Sequence, residues 1–170
     1  FFLATYPRFL NTNWFSPVVN MDQPFAASIF VHPEDTAHML KQLRDRLGRL
    51  QAEEMEEQAA GKVRNPILET AIGDIEALRD KLQQGTDRFF RLGVYLTIYG
   101  SSLKDLDETE NKIKSILDGQ LIYSKQATFR MKEGFFSTLP LSDDQLQVHN
   151  SLNTEPISSL FPFVSYDLTR

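Results

Sequence analysis

The sequence predicts an α+β domain: helices on one face of a mixed or largely antiparallel sheet, with a protruding antiparallel helical hairpin. Three observations predict this class. Two segments have apolar residues at helical spacing and are joined by a short turn, one segment alternates as a strand does, and short aromatic-rich strands open the chain. With 170 residues, 41% of them apolar and 24% charged, the chain can bury a core without a metal or disulfide staple.

The N-terminal part predicts two strands around an apolar loop. Residues 1–6 are rich in aromatic side chains, and residues 25–31 form a buried type of strand that stops at His32-Pro33. The loop between them carries Trp14 and other apolar residues. We therefore expect this loop to pack onto the body of the domain.

Residues 34–84 predict the helical hairpin. Pro33 suits the first turn of its first arm, Asn65 and Pro66 suit the start of the second arm, and Gly85 ends it. Apolar residues recur at helical spacing along both arms: Leu40, Leu43, Leu47 and Leu50 in the first, and Leu68, Ala71, Ile75, Leu78 and Leu82 in the second. Two such stripes joined by a short turn are expected to pack antiparallel.

Residues 88–130 predict a strand, a helix and a second strand. Apolar side chains alternate from Phe90 to Ile98, a helix follows Ser102, and the second strand covers 121–129. Such a unit is expected to form a right-handed crossover.

The sequence divides into an α+β domain over 1–133 and a connector over 134–170. The connector has no clean period and is interrupted by prolines. Near its end an apolar cluster, which we call the docking strip, is expected to lie on a neighbouring domain: Leu160, Phe161, Phe163 and Val164. The alternative is that the strip packs only onto its own domain.

Composition excludes several kinds of site. The absence of Cys excludes disulfides, thiolate metal sites and cysteine nucleophiles. No two glycines have the spacing of a phosphate loop, so we expect this chain to bind no ATP, to need no cofactor and not to be an enzyme. His32, His38 and His149 have no metal-ligand spacing, so we interpret them as surface or capping residues and predict no metal site. No run is long and apolar enough to cross a bilayer.

Four charged clusters have an ordinary and a functional interpretation. Carboxylates at Asp143-Asp144 and over 105–110 read as solvated surface, because the sequence shows no pocket that would shift their pKa. The acidic patch, formed by Glu53, Glu54, Glu56 and Glu57, is either a solvated helix face or a docking surface for a basic partner. The basic set, formed by Lys125, Arg130 and Lys132 near Tyr123 and Phe129, could serve single-stranded nucleic acid. The net charge of -5 favours an ordinary half-buried strand instead.

Two motifs of the connector carry a family resemblance. They are GFFSTLPL over Gly134–Leu141 and LNTEPISSLFPF over Leu152–Phe163. Both resemble a region just ahead of the motor domain in the CagE/TrbE/VirB-type ATPases of type IV secretion and conjugation, which are related to the HerA and FtsK pumps. Less distinctive features agree along the chain: Tyr6-Pro7, Trp14, His32-Pro33, Asn65-Pro66, Leu82 and Phe89-Phe90.

The resemblance implies the accessory N-terminal domain of such an ATPase. The family's phosphate loop would follow residue 170, so no position of this sequence matches its catalytic residues, and ATP and Mg²⁺ would belong to the full-length parent. The chain opens without Met and ends directly after an apolar run, and we interpret it as a fragment of that parent. The implied partners are its own C-terminal ATPase domain and components of the secretion channel. The implied location is cytoplasmic, at the inner face of the membrane, and family motors commonly form hexamers.

Two alternatives of other classes remain at this point. One is a stand-alone scaffold that uses the hairpin as a protein-binding arm, and the other is a module for single-stranded nucleic acid. A phosphate loop downstream in the parent gene would favour the ATPase over the scaffold. A salt-dependent interaction with single-stranded DNA would favour the third interpretation.

Overall fold

A computed structural model of the chain describes residues 1–7 and 10–160, and the chain divides into two compact units. The sheet unit contains the described residues of 1–32 and 90–160, and the hairpin unit is Pro33–Phe89. The strands are β1 (Phe2–Thr5), β2 (Phe25–Pro33), β3 (Phe89–Ile98), β4 (Tyr123–Lys125) and β5 (Asn150–Asn153). The helices are α1 (Ser16–Val19), α2 (Thr36–Ala59), α3 (Pro66–Gln83), α4 (Leu103–Asp118), α5 (Met131–Ser137) and α6 (Thr154–Ser158). This composition confirms the α+β class.

Within the described residues the strands form one sheet in the order β2-β3-β1-β4, and β5 also pairs with β3. β1 is antiparallel to both of its neighbours, with Phe2 opposite Tyr95 of β3 and Leu3 opposite Ser124 of β4. β3 and β4 therefore run in the same direction with β1 between them, and α4 makes the crossover.

The main core lies on the face of the sheet that carries the alternate residues Leu92, Val94 and Leu96 of β3. Ile113 and Leu117 of α4 pack against them. The predicted apolar loop contributes Trp14, Phe15 and Val18, which are all buried in this core. The prediction that the loop packs onto the body of the domain is therefore confirmed.

The opposite face of β3 carries a second, smaller core around Tyr95. Ala127 and Leu146 are buried with it, and Val148 packs against them. The Thr97 hydroxyl also lies 2.7 Å from that of Thr138. The segment after β4 thus covers the face that the main core leaves open.

The hairpin unit is built as the apolar spacing predicts. Leu43 and Leu47 of α2 share a buried cluster with Ile75 and Leu82 of α3. The side chain of Asn65 accepts a hydrogen bond from the N–H of Ile67, so the predicted cap of the second arm is present.

Two sequence predictions about element boundaries are corrected. The strand expected over 121–129 shortens to β4, because Leu121 and Phe129 have positive φ values of 59° and 65°, which a strand does not accommodate. Pro33 ends β2 rather than starting a helix, and α2 begins at Thr36 with Asp35 accepting from the N–H of Ala37.

The segment expected to be a connector contains regular structure. Within 134–160 the structure places the end of α5, then β5 and α6, and β5 pairs with β3. These elements could not be predicted from the sequence, because each is too short to show a hydrophobic period. The division into a domain over 1–133 and a connector that leads to a motor stays a prediction.

Candidate functional site

The docking strip is only partly within the described residues. Leu160 is 2% exposed and belongs to the main core, beside Trp14 and Val18. Phe161, Phe163 and Val164 lie outside the described residues. Leu160 therefore serves local packing, and docking of the strip onto a motor stays a prediction.

The acidic patch lies on the last turns of α2. Glu53 and Glu56 are exposed, whereas Glu54 and Glu57 are half-buried. The ammonium of Lys62 lies 3.9 Å from the carboxylate of Glu57, so part of the charge is balanced locally. The choice between a solvated helix face and a docking surface for a basic partner therefore stays open.

Exposed apolar residues lie beside the acidic patch at the tip of the hairpin. Met55 is exposed on α2, Val63 in the turn and Ile67 at the start of α3. Single exposed apolar residues are common, but three on one tip are typical of a contact surface.

The sheet unit carries an apolar groove between α4 and α5, which we call the α4–α5 groove. Its volume is about 340 Å³. Its lining is mainly apolar and includes Leu96, Leu103, Ala127, Met131 and Phe135. Leu103 is 81% exposed, and Met131 and Phe135 are exposed as well. Part of the groove's apolar lining, at Leu103, Met131 and Phe135, is therefore left uncovered by this unit.

Charge at the rim of the α4–α5 groove is acidic. Asp107 and Glu110 of α4 line it, and the groove's lining contains no Lys or Arg. The Glu110 carboxylate forms an ion pair with the ammonium of Lys114 and accepts two hydrogen bonds from the amide of Gln126, at 2.6 and 2.7 Å, so its charge is balanced within the unit. Asp107 is exposed and remains available to a basic group of a partner.

Gly134 is the first residue of the motif Gly134–Leu141 and also lines this groove. It lines the groove on α5, where an added Cβ would lie 3.4 Å from the Cβ of Ala127. Phe135, the next residue of the motif, is also in the lining.

The basic set is partly engaged in local contacts. The guanidinium of Arg130 donates to the carbonyl of Gln145 at 2.9 Å, and the ammonium of Lys132 lies 6.0 Å from the ring centre of Phe136. Tyr123 and Phe129 are exposed, so their rings remain open to a stacking partner. The aromatic residues of the nucleic-acid interpretation are therefore accessible, but its basic residues Arg130 and Lys132 already contact their own unit.

Three residues that the sequence analysis assigned to surface or capping roles come together in the sheet unit. His32, Asp144 and His149 each offer one ligand atom, and these atoms all lie within 4.8 Å of one another. We call them the His–Asp cluster. The shared atom is the Asp144 Oδ2, which lies 2.6 Å from the Nε2 of His149 and 3.9 Å from the Nε2 of His32.

The surroundings of the His–Asp cluster hold its members in place. The other Asp144 oxygen, Oδ1, accepts a hydrogen bond of 2.9 Å from the N–H of Gln147. The His149 ring meets the His32 ring edge to face at 5.2 Å between centres. His32 also stacks on Phe30, with 6.4 Å between ring centres.

Sequence reasoning missed this cluster because no local signal marks it. His32 ends a strand near the start of the chain, whereas Asp144 and His149 lie in a polar segment near the end. Only the pairing of the sheet and the return of the chain over Tyr95 bring them together. The interpretation of Asp144 as solvated surface is wrong, since its side chain is 10% exposed.

Comparison with known proteins gives one family. Residues 61–143 match the model of the CagE, TrbE, VirB family, described as a component of type IV transporter systems. The match spans just under half of the 170 residues and includes the Gly134–Leu141 motif. It confirms the family resemblance drawn from the sequence. No curated protein matches the chain.

In the part of the chain that the structure describes, no helix is long and apolar enough to cross a membrane.

Proposed function

Because residues 61–143 match the CagE, TrbE, VirB family, we propose that this chain is the accessory N-terminal domain of a type IV secretion or conjugation ATPase. Its role is to contact other components of the transfer machinery and its own motor domain. The single observation that carries the proposal is the family match, which includes the motif Gly134–Leu141. ATP hydrolysis belongs to the parent protein, and the sequence of this chain has no phosphate loop.

The α4–α5 groove is the surface that best suits such a contact. It has uncovered apolar walls at Leu103 and Met131 and acidic residues at its rim. An apolar segment that carries a Lys or Arg complements both features, since the apolar part fills the groove and the cation meets Asp107. We therefore propose that the occupant is a basic, amphipathic segment of a partner in the secretion machinery.

The first test is genetic and uses the full-length parent. Leu103→Asp or Met131→Asp places a charge in the groove. We expect either variant to lower substrate transfer when a plasmid supplies the parent gene to a strain from which that gene is deleted. Leu121→Asp is the matched control, because Leu121 is an exposed apolar residue of the same unit outside the groove. If both groove variants fold and transfer substrate normally, the groove is not the contact surface.

The second test asks whether the parent is an ATPase. The coding sequence beyond Arg170 should contain a phosphate loop, since the resemblance places the motor there. The 170-residue chain itself should show no rise in melting temperature with saturating Mg-ATP. Stabilisation by Mg-ATP would contradict the assignment of ATP binding to the motor alone.

A stand-alone scaffold remains the second candidate, and the tip of the hairpin favours it. Met55, Val63 and Ile67 expose apolar surface next to the acidic patch. Replacing Val63 and Ile67 with Ser should leave the fold intact, because both are exposed in the hairpin unit. Loss of function in this variant but not in the groove variants would favour the scaffold.

A further inference from the structure

We propose that the His–Asp cluster binds one divalent transition-metal ion, with Zn²⁺ as the best-suited ion. His32, Asp144 and His149 supply two imidazole nitrogens and one carboxylate oxygen. Zinc accepts this ligand set at about 2.0–2.2 Å and commonly adds a water or another group in the fourth position. The site is independent of the function proposed above, and it lies on the face of the sheet around Tyr95.

The distances from the Asp144 oxygen to the two imidazole nitrogens lie on either side of the distance expected around a bound ion. Ligand atoms that share a tetrahedral zinc lie roughly 3.3 Å apart, as follows from bond lengths near 2.05 Å. In this structure the Asp144 Oδ2 lies 2.6 Å from the Nε2 of His149 and 3.9 Å from that of His32. Small side-chain rotations would equalise these separations, and the ion would replace the hydrogen bond between Asp144 and His149.

Hard and soft ion preferences decide the class of metal. Mg²⁺ and Ca²⁺ prefer oxygen ligands, and here two of the three donors are imidazoles. Imidazole suits Zn²⁺, Cu²⁺, Ni²⁺ and Fe²⁺. The chain has no Cys, so this site contains no thiolate that would favour Cu(I).

Neighbouring groups fix the ligands before any ion binds. Asp144 Oδ1 accepts from the N–H of Gln147, which leaves Oδ2 for the ion. The Tyr95 hydroxyl accepts from the N–H of Val148 and donates to its carbonyl, which anchors the backbone next to His149. Contacts that hold metal ligands in place typically change metal affinity by about 10–100-fold when they are removed.

Access from solvent is through His32. Its side chain is 42% exposed, whereas those of Asp144 and His149 are 10% and 15% exposed. An ion can therefore reach the cluster without unfolding, and the two less exposed ligands are already beside each other.

The test is titration of the metal-free chain with Zn²⁺ against a chromogenic chelator, with Co²⁺ absorption as a second readout. We expect one Zn²⁺ per chain and intense d–d bands typical of four-coordinate Co²⁺. His149→Ala, His32→Ala and Asp144→Asn should each weaken binding by more than about 100-fold, which exceeds the usual effect of removing a group that only supports a ligand. His38→Ala is the matched control, since His38 is the third histidine of the chain and lies in the other unit on α2.

Circular dichroism of every metal-free variant separates loss of a ligand from loss of the fold. Should His149→Ala fail to fold, the exposed His32 gives the decisive variant, because its replacement leaves the Asp144–His149 pair in place. The absence of stoichiometric Zn²⁺ binding by the wild-type chain would overturn the proposal. Equal affinity in the wild type and His32→Ala would overturn it as well, and binding lost in His38→Ala would locate the ion elsewhere.

Discussion

The hydroxyl of Tyr95 holds both polar groups of the Val148 backbone: it donates to the carbonyl and accepts from the N–H, each at 3.1 Å. Tyr95 is fully buried on β3, more than fifty positions earlier in the chain. One side chain therefore satisfies two peptide groups of a segment that makes no ladder with this part of the sheet. The same segment carries Asp144 and His149, so this contact links the sheet to the His–Asp cluster.

Tyr95→Phe should destabilise the chain by about 1–3 kcal/mol. The substitution leaves the Val148 N–H and carbonyl without their partner, and unsatisfied groups of this kind carry that cost. Urea unfolding followed by circular dichroism measures the change. We also expect weaker Zn²⁺ binding, because the backbone beside His149 loses its anchor.

Tyr6→Phe is the matched control for this prediction. The Tyr6 hydroxyl is also buried, but within the described residues it has no hydrogen-bond partner. Removing a buried hydroxyl without a partner is expected to be neutral or stabilising. Equal destabilisation by the two substitutions would show that the Val148 contacts contribute nothing of their own.

Gly93→Ala should destabilise the sheet unit by about 1–3 kcal/mol through overpacking. A Cβ at this position would lie 2.7 Å from the Tyr95 hydroxyl and 3.1 Å from the His149 ring. Tyr95 is buried and hydrogen-bonded, so it cannot move aside without losing Val148. Thermal unfolding measures the effect.

Gly48→Ala is the corresponding control in α2. Apart from its chain neighbours and the backbone of its own helix, no described atom lies within 4 Å of the Cβ that it would add, and Gly48 is exposed within the helix. Alanine is favoured over glycine in helix interiors by roughly 0.5–1 kcal/mol, so this variant should be more stable than the wild type. A loss of stability in Gly48→Ala would show that the surroundings of α2 differ from those described.

Periodic segments were predictable from the sequence because their burial repeats along the chain. The alternation from Phe90 to Ile98 placed Leu92 and Tyr95 on opposite faces of β3, and the structure has them in different cores. Leu47 and Ile75 belong to the apolar stripes of the two arms, which were expected to pack together, and the two residues share one buried cluster. In both cases the local pattern alone determines which side of the element is buried.

The candidate sites depended on contacts between distant parts of the chain. His32 and His149 have no common local motif, and sheet pairing brings them within reach of one carboxylate. The α4–α5 groove arises in a similar way, since Leu103 and Met131 lie on separate helices. Positive φ values at Leu121 and Phe129 also ended a strand that composition alone would extend. None of these features produces a periodic pattern of apolar residues, so a single sequence does not reveal them.

Stability should fall as the pH rises above 10. Burial raises the pKa of both Tyr6 and Tyr95 from the ordinary value of 10.0. The charge of Tyr95 adds to the rise at Tyr6, and the nearby Asp144 carboxylate adds to the rise at Tyr95. Between the unfolded and folded pKa values, the unfolded chain has lost the phenolic proton and the folded chain keeps it. The free energy of unfolding therefore decreases with pH in this window and is unaffected by these groups below it.

Urea unfolding at a series of pH values from neutral to alkaline measures this slope. The double variant Tyr6→Phe/Tyr95→Phe should have a shallower decrease than the wild type, because it has two fewer groups to ionise on unfolding. Tyr123→Phe is the control, since Tyr123 is exposed and its replacement should leave the slope unchanged. Identical slopes in the wild type and the double variant would contradict the assignment.

Leu47→Asp should destabilise the hairpin unit by about 3–5 kcal/mol, because it places an unpaired charge in a buried cluster. Leu47 packs there with Leu43 of its own helix and Ile75 of α3, and the cluster's described members are all apolar. Loss of helical circular dichroism on mild heating is the expected result. Gln51→Asp adds the same charge one turn further along α2 at an exposed position, so it should change stability by less than about 0.5 kcal/mol. If Leu47→Asp melted like Gln51→Asp, the packing of α2 against α3 through this cluster would be wrong.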